Sequence, residues 1–581
     1  MIDITLSPTA TLLLTPETTS GERELATVLR FFGVQPTRST VAQVLANDAP
    51  DSPKMALLCS AYAFAGLREA LEQISQAEDF WRKRIHSVFV YAGHNPACLE
   101  ALARALTEDP RYCIRQIPQD AEWLITDQWP QFAGAMSGLR MITGRPTAGL
   151  HHDGPYSAAT EIISTAAAAG FLKLDRQGVS VFLSTARDVI DIDAQLEAPF
   201  DIRTTLLAAA PVVMYVKWAF AESCWHTTQS SACLVIDDPL LTPRYGFLHF
   251  QSFLELMMRH GFSTSIAFIP WNCRRSTSKV ASLFNESQGR YSLCIHGCDH
   301  TGGEFGIRDA GTLACKSRLA AERMKVHEQR TGIKHDPVMV FPQGVFSEAA
   351  MSVLKRGNFL GVVNSEVISA DPSPRRITIA DVWDVAVMTY DNFPIFTRRY
   401  VSQGLENFAF DVLLGKPCII VAHHGDLSGQ CRQLLNFIDR LNSLQPPLSW
   451  RNLGDLIRRT WRQRKLTSGE VEIEMYGREL WLSNPADEMR RFHVRKREAD
   501  PAAIGQVEAD ACLVAWVARE DGIRFELELA PGESRLIRII YCDVPAMASR
   551  EESWRERAQV MLRRYLSEIR DNYVTRRPFA S

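Results

Sequence analysis

Charge of one sign is what this chain of 581 residues has least of: 64 Lys and Arg stand against 67 Asp and Glu, a formal net charge of −3. So even a balance leaves no electrostatic footprint for nucleic acid and none for an acidic membrane surface. Long hydrophobic runs are missing too, and no uninterrupted apolar stretch reads as long enough to span a bilayer. The opening MIDITLSPTATLLLTPETTS carries neither a basic leader nor an extended apolar core, so no secretory signal is expected and a cytoplasmic location is. A disulfide framework is absent as well. The 13 cysteines, an odd number without regular spacing, read as buried free thiols in a reducing compartment. What is present is 46% hydrophobic and 23% charged residues, a globular composition over a length that calls for two to four domains.

Residues 1–145 alternate short apolar runs with helical patterns. MALLCSA (55–61), SVFVYAG (87–93), EWLITD (122–127) and GLRMITG (138–144) read as buried strands, and PACLEALARALTED (96–109) as a helix stopped by Pro110. This rhythm predicts an open α/β domain, in which no glycine-rich phosphate loop occurs. Residues 146–225 are less regular and read as a connecting region that either completes the first domain or leads into the second, with candidate strands at 179–185 and 212–218. His151 and His152 there, followed by Asp153, would point to opposite faces of an extended backbone and so read as a polar loop rather than a ligand pair.

Residues 226–465 hold the clearest pattern. Apolar runs recur as ACLVID (232–237), TSIAFIP (264–270), SLCIHG (292–297), PVMVFP (337–342), FLGVVN (359–364), DVAVMT (384–389) and CIIVAHH (418–424), with helical segments between several of them. They predict a parallel, barrel-like α/β sheet whose strand ends converge on one mouth. From 466 to 548 a period of two takes over, as at Ile523, Phe525, Leu527 and Leu529, and predicts a small β-sandwich. The tail, 549–581, reads as an amphipathic helix whose stripe of Ala558, Leu562, Tyr565 and Ile569 is expected to pack on the body of the protein.

Three of the central runs end in residues that carry chemistry. ACLVID delivers Asp237 and Asp238, SLCIHG delivers His296 with His300 just beyond, and CIIVAHH delivers His423 and His424. Carboxylate and imidazole are the ligands that a borderline divalent ion takes, and one carboxylate with two histidines leaves room for water and substrate. Each motif alone has a bland reading, since Asp-Asp before proline caps a turn and H-x₃-H occurs on helices that hold no metal. Three of them, each where an apolar strand stops in one region, point to a site.

Taken in order, "LVIDDPLL", "IHGCDH" and "VAHHGD" resemble the motifs of the polysaccharide deacetylase (NodB-homology) family, over roughly 200–240 central residues. The resemblance implies a distorted (β/α)7-type barrel. It also implies Asp237 as general base and Asp238, His296 and His300 as ligands of a divalent ion, most simply zinc. The last histidine, His424 or else His423, would be the general acid that protonates the leaving amine. Two departures stand out: Val340 occupies the place of the family's motif arginine, in "VFPQG" with Gln343 inside it, and "DVWDVAVMTYDNF" only loosely echoes an acidic-aromatic motif. Arg398 or Arg399 of "FPIFTRRY" is the candidate replacement for that arginine. Trp271, Asn272, Glu304, Gln343 and Arg398 are the candidate substrate-facing residues. The expectation is a metal-dependent hydrolase that removes N-acetyl groups from a sugar or polysaccharide, with no nucleic-acid partner. The alternatives are a metal-dependent amidohydrolase of a small amide, and a catalytically degenerate glycan-binding protein.

Overall fold

The protein is described by a computed structural model covering residues 8–15, 19–46, 53–73, 77–154, 159–542 and 554–571. The chain divides into two units, the first holding Met1–His226 with Thr378–Ala380 and Leu444–Pro446, the second the remainder. In the first, Thr37–Ser39, Thr9–Leu13, Met55–Ser60, Ile85–Tyr91 and Val179–Ser184 run side by side in that order as a parallel sheet. The sheet continues antiparallel through Ala169–Arg176 and Ala159–Ser164. Of the two alternatives for residues 146–225, the strands Ala159–Ser164, Ala169–Arg176 and Val179–Ser184 complete this sheet.

The candidate strand at 212–218 is a correction, because it lies inside the helix Leu206–Phe220. That helix is apolar on nearly every side and therefore shows no period from which a helix could be read. The expectation about apolar runs changes with it. Leu206–Ser223, with a mean hydropathy of 1.2, is long and apolar enough to cross a membrane by length and composition, although 67% of it is buried inside the unit. His151 and His152 turn to different carboxylates, Asp153 and Asp109, each at 2.7 Å.

The second unit is built on a parallel sheet of eight strands: β1 (Ser231–Asp237), β2 (Thr264–Phe268), β3 (Tyr291–His296), β4 (His335–Val340), β5 (Gly361–Asn364), β6 (Ile395–Thr397), β7 (Arg399–Tyr400) and β8 (Cys418–Ala422). Their order across the sheet is β6-β5-β4-β3-β2-β1-β8-β7, with the short Ser449–Trp450 beside β1. The two edge strands, β6 and β7, are consecutive in the chain and separated by Arg398 alone, so the sheet curls into a nearly closed barrel around that residue. Strands buried on both faces read as continuous apolar runs, which is why most of them were legible. DVAVMT (384–389) is the exception. Val385, Ala386 and Val387 are buried, yet only Val387 makes a bridge, to Ile395, and the sixth strand is Ile395–Thr397 instead. Asp384, which opens the run, turns its carboxylate to Tyr476 and Arg497.

Beyond the barrel, a five-stranded sheet and a four-stranded sheet enclose one apolar core that includes Ile473, Leu480, Val507, Phe525 and Ile537. The run CLVAWVA divides between them, Cys512–Val514 in one sheet and Trp516–Arg519 in the other. The helix Trp554–Ile569 follows, and the flanking residues 543–553 and 572–581, part of the expected sandwich and tail, lie outside the described residues. Most of its expected apolar stripe does not pack. Leu562 and Ile569 are 62% and 52% exposed, Tyr565 is half-exposed with one edge on Trp271, and polar residues occupy the inward face. All 13 cysteines are unpaired.

One buried histidine sets a limit on stability. His327, on the helix Ala310–Thr331, sits fully buried under β2 with its Nε2 at 2.7 Å from the Ser276 hydroxyl. Burial, reinforced by Arg330 and His335, pushes its pKa from 6.5 down to about 4. The unfolded chain therefore binds this proton at a higher pH than the folded chain does. The stabilisation is complete above pH 6.5 and is lost as the pH falls through about 4. We expect ~3 kcal/mol of acid-dependent stability from this residue. Denaturant titrations at pH 7 and pH 4.5 on the native protein and His327→Gln should show the slope diminished in the variant, and an unchanged slope would exclude His327 as its source.

Candidate active site

Asp237 closes β1, an interior strand of the sheet, and Arg398 stands at the seam between the sheet's two edges. The geometry that joins them is a bidentate pair: Nη1 and Nη2 of Arg398 donate to Oδ1 and Oδ2 of Asp237, each at 2.7 Å, with both side chains buried. Burial alone would raise the Asp237 carboxyl. The guanidinium charge, with His296 adding to it, outweighs that cost and holds the acid below its ordinary range. Of the two adjacent arginines it is therefore Arg398 that holds Asp237, and Arg399 turns away to Asp411 at 2.7 Å.

Asp238 follows with a left-handed backbone, φ +79°, and His300 and Gln343 share that region at +56° and +60°. Side-chain-bearing residues occupy it at a cost, and such strain gathers at functional sites. Asp238 Oδ1 lies 3.1 Å from His300 Nε2 and 3.4 Å from His296 Nε2. Despite these short distances, the buried Oδ1 has no aligned hydrogen-bond partner. The three atoms converge on a common point rather than bonding to one another. Ligand atoms held about 2.0–2.1 Å from one zinc ion in a tetrahedron stand about 3.4 Å apart, so the set fits a small divalent ion. His296 is already oriented for the task. Its Nδ1 donates to the Val340 carbonyl at 3.0 Å, which leaves the Nε2 lone pair for a ligand. Burial raises the Asp238 carboxyl, but the two imidazoles outweigh it and hold the group well below its usual range.

The loop between the histidines is shaped from beneath. Glu304 is buried and accepts the backbone N–H groups of Cys298, Asp299 and His300 at 2.8, 3.1 and 3.0 Å. Gly297, φ +64°, permits this packing, since a Cβ there would run into the Glu304 carboxylate and the Pro342 ring. The charge of Asp299 and Glu304 is met by Lys316 and Arg323, seven residues apart on one face of the helix Ala310–Thr331. These three residues, Asp299 included, were missed in the sequence. The i, i+7 spacing of the two cations was the available signal.

The structure gathers Asp237, Asp238, His296, His300, Gln343, Arg398 and His423 around one cavity of about 310 Å³. His423 places Nε2 4.0 Å from Asp237 Oδ2 and stacks on Tyr400 at a ring separation of 6.0 Å. The side chain of His424 lies outside the described residues. Three residues expected to face substrate do not line the cavity. Glu304 is the loop's buried scaffold; Trp271 packs edge-on against Tyr565 and under Arg275; Asn272 is buried with its side-chain oxygen accepting from Arg275 at 3.2 Å. Residues that sequence reasoning missed also line it: Ser365, Glu366 and Tyr400, and, from the C-terminal helix and its final turn, Arg563, Ser567 and Arg570.

No family model and no curated protein matches the chain. Solved structures do match. A protein assigned as a polysaccharide deacetylase from Mycobacterium smegmatis is 12% identical, covering 39% of this chain and 89% of its own, with a TM-score of 0.28. A family 4 carbohydrate esterase from Streptomyces lividans, solved with acetate, is 11% identical over 37% and 86% of the two chains, with a TM-score of 0.22. A pseudoenzyme of the same CE4 family from Bacillus anthracis is 11% identical over 38% and 64%, with a TM-score of 0.25. The likeness falls on the central region, the part of the chain that carries the family's three motifs.

Proposed function

We propose that the central barrel is a metal-dependent hydrolase that removes the acetyl group from an N-acetylated sugar. The observation that carries this reading is the convergence of Asp238 Oδ1 with the Nε2 atoms of His296 and His300 beside an ionised, arginine-held Asp237. Bound by Asp238, His296 and His300, a divalent ion would polarise the amide carbonyl and lower the pKa of water, both of which a poor electrophile such as an amide requires. Asp237 is the base. Its carboxylate is kept ionised by Arg398, and it adjoins the ligand set through the peptide bond to Asp238, so it can accept a proton from water held there. His423, with Nε2 opening on the same cavity, is the described histidine suited to protonate the leaving amine. Gln343 offers an amide toward the substrate from a strained turn at the mouth.

Metal binding and catalysis separate by substitution. Asp238→Asn and His300→Ala should each weaken zinc binding about 100-fold or more, read as metal content after dialysis against a chelator. Full zinc retention in both variants would remove the ion from this site. Asp237→Asn should keep its metal yet lose about 10²–10⁴ in kcat for acetate release from N-acetylglucosamine oligomers. Parallel His423→Ala and His424→Ala variants assign the acid. Loss of turnover confined to His424→Ala would take the role from His423, and no acetate release by the zinc-loaded native protein would count against the reaction itself.

A further inference from the structure

The C-terminal helix meets the candidate site with its polar face. Arg563, Ser567 and Arg570, spaced by four and then three residues, line the same cavity as the metal-ligand set. The helix is seated there by four contacts. Glu568 takes both guanidinium nitrogens of Arg275, Tyr565 lies edge-on to Trp271, Arg275 stacks over the Tyr565 ring at 5.0 Å, and the Tyr245 hydroxyl donates to Asp571 at 2.9 Å. Those partners follow β1 and β2, so the helix is tied to the loops that carry the site.

Three guanidiniums and three carboxylates line the cavity. Asp237 is matched by Arg398, and Asp238 belongs to the ligand set, leaving Glu366 as the one further carboxylate among the described lining residues. Arg570 donates to Asp571 at 2.9 Å, whereas Arg563 makes no ion pair among the described residues. Arg563 overhangs the histidine loop: a Cβ on Gly302 would lie 3.3 Å from its Nη2 and 3.4 Å from the Gln343 Oε1. Guanidinium forks match the paired oxygens of carboxylate and phosphate far better than they match sugar hydroxyls. A volume of about 310 Å³ also sits at the small end of ligand pockets.

We propose that Arg563, with Arg570, forms an anion subsite, and that the substrate is a small acetylated sugar bearing a phosphate or carboxylate rather than a long neutral polymer. This rests on the deacetylase reading. The test uses full-length, zinc-loaded protein and three substrates: a neutral N-acetylglucosamine oligomer, a phosphate ester of N-acetylglucosamine, and a carboxylate-bearing ether of it. The native protein should favour an anionic substrate in kcat/KM, and Arg563→Gln should reduce that preference about tenfold, mainly through KM, the worth of one charge-assisted hydrogen bond. The substrate whose KM responds identifies the anion. A neutral oligomer turned over as well as either anionic sugar, or a preference unaltered in Arg563→Gln, would overturn the proposal. Calorimetry of inorganic phosphate on metal-stripped protein separates the two claims. Phosphate binding that depends on Arg563, without any deacetylation, would sustain the subsite and sink the deacetylase. Deacetylation with phosphate binding indifferent to Arg563 would do the reverse.

Discussion

A buried guanidinium–carboxylate pair, Arg398 on Asp237, ties the centre of the barrel to its seam. Asp237 ends β1, a strand paired on both sides, and Arg398 is the single residue between the two edge strands. Both side chains are buried but for a sliver that faces the cavity, and a buried charge left without its partner costs about 3–5 kcal/mol. Closure of the sheet and ionisation of the acid are therefore one event. Whatever lets the edges part also leaves Asp237 alone in a low-dielectric interior, where a carboxylate takes up a proton. The residue after it, Asp238, inherits its position from the same pair, and its left-handed backbone turns the side chain onto the two imidazoles.

Much of the barrel could be read because buried parallel strands are apolar throughout and end where chemistry begins. The same rule misled at DVAVMT, since buried apolar residues need a core but not a neighbouring strand, and Asp384 commits that segment to other partners. Leu206–Phe220 failed for a related reason: a helix surrounded on all sides loses the polar face that gives the period away.

The site divides in the same manner. Asp237, Asp238, His296 and His300 lie at strand ends in motifs whose order survives in one dimension. Glu304, read as a mouth residue, holds three backbone N–H groups from below, a role that only the turn at Gly297 reveals. The replacement arginine was open between Arg398 and Arg399 because adjacent residues on extended backbone face opposite ways. Three-dimensional placement resolves it, one guanidinium on Asp237 and the other on Asp411.

The C-terminal helix inverts the usual reading of amphipathicity. Leu562 and Ile569 of its apolar stripe lie outward, while Arg563, Ser567, Glu568, Arg570 and Asp571 face the barrel. Pattern alone assumes that a helix is held by its hydrophobic side. This one is held by bidentate and aromatic contacts to the loops after β1 and β2, and those loops offered polar partners that no period in the helix could announce. The division of labour follows from connectivity. The barrel's own strand ends supply Asp237, Asp238 and His296, whereas Arg563, Ser567 and Arg570 of the same cavity come from a segment more than 100 residues beyond the last barrel strand. A wall contributed by so distant a segment can change its side chains without disturbing the strands that hold Asp237, Asp238 and His296.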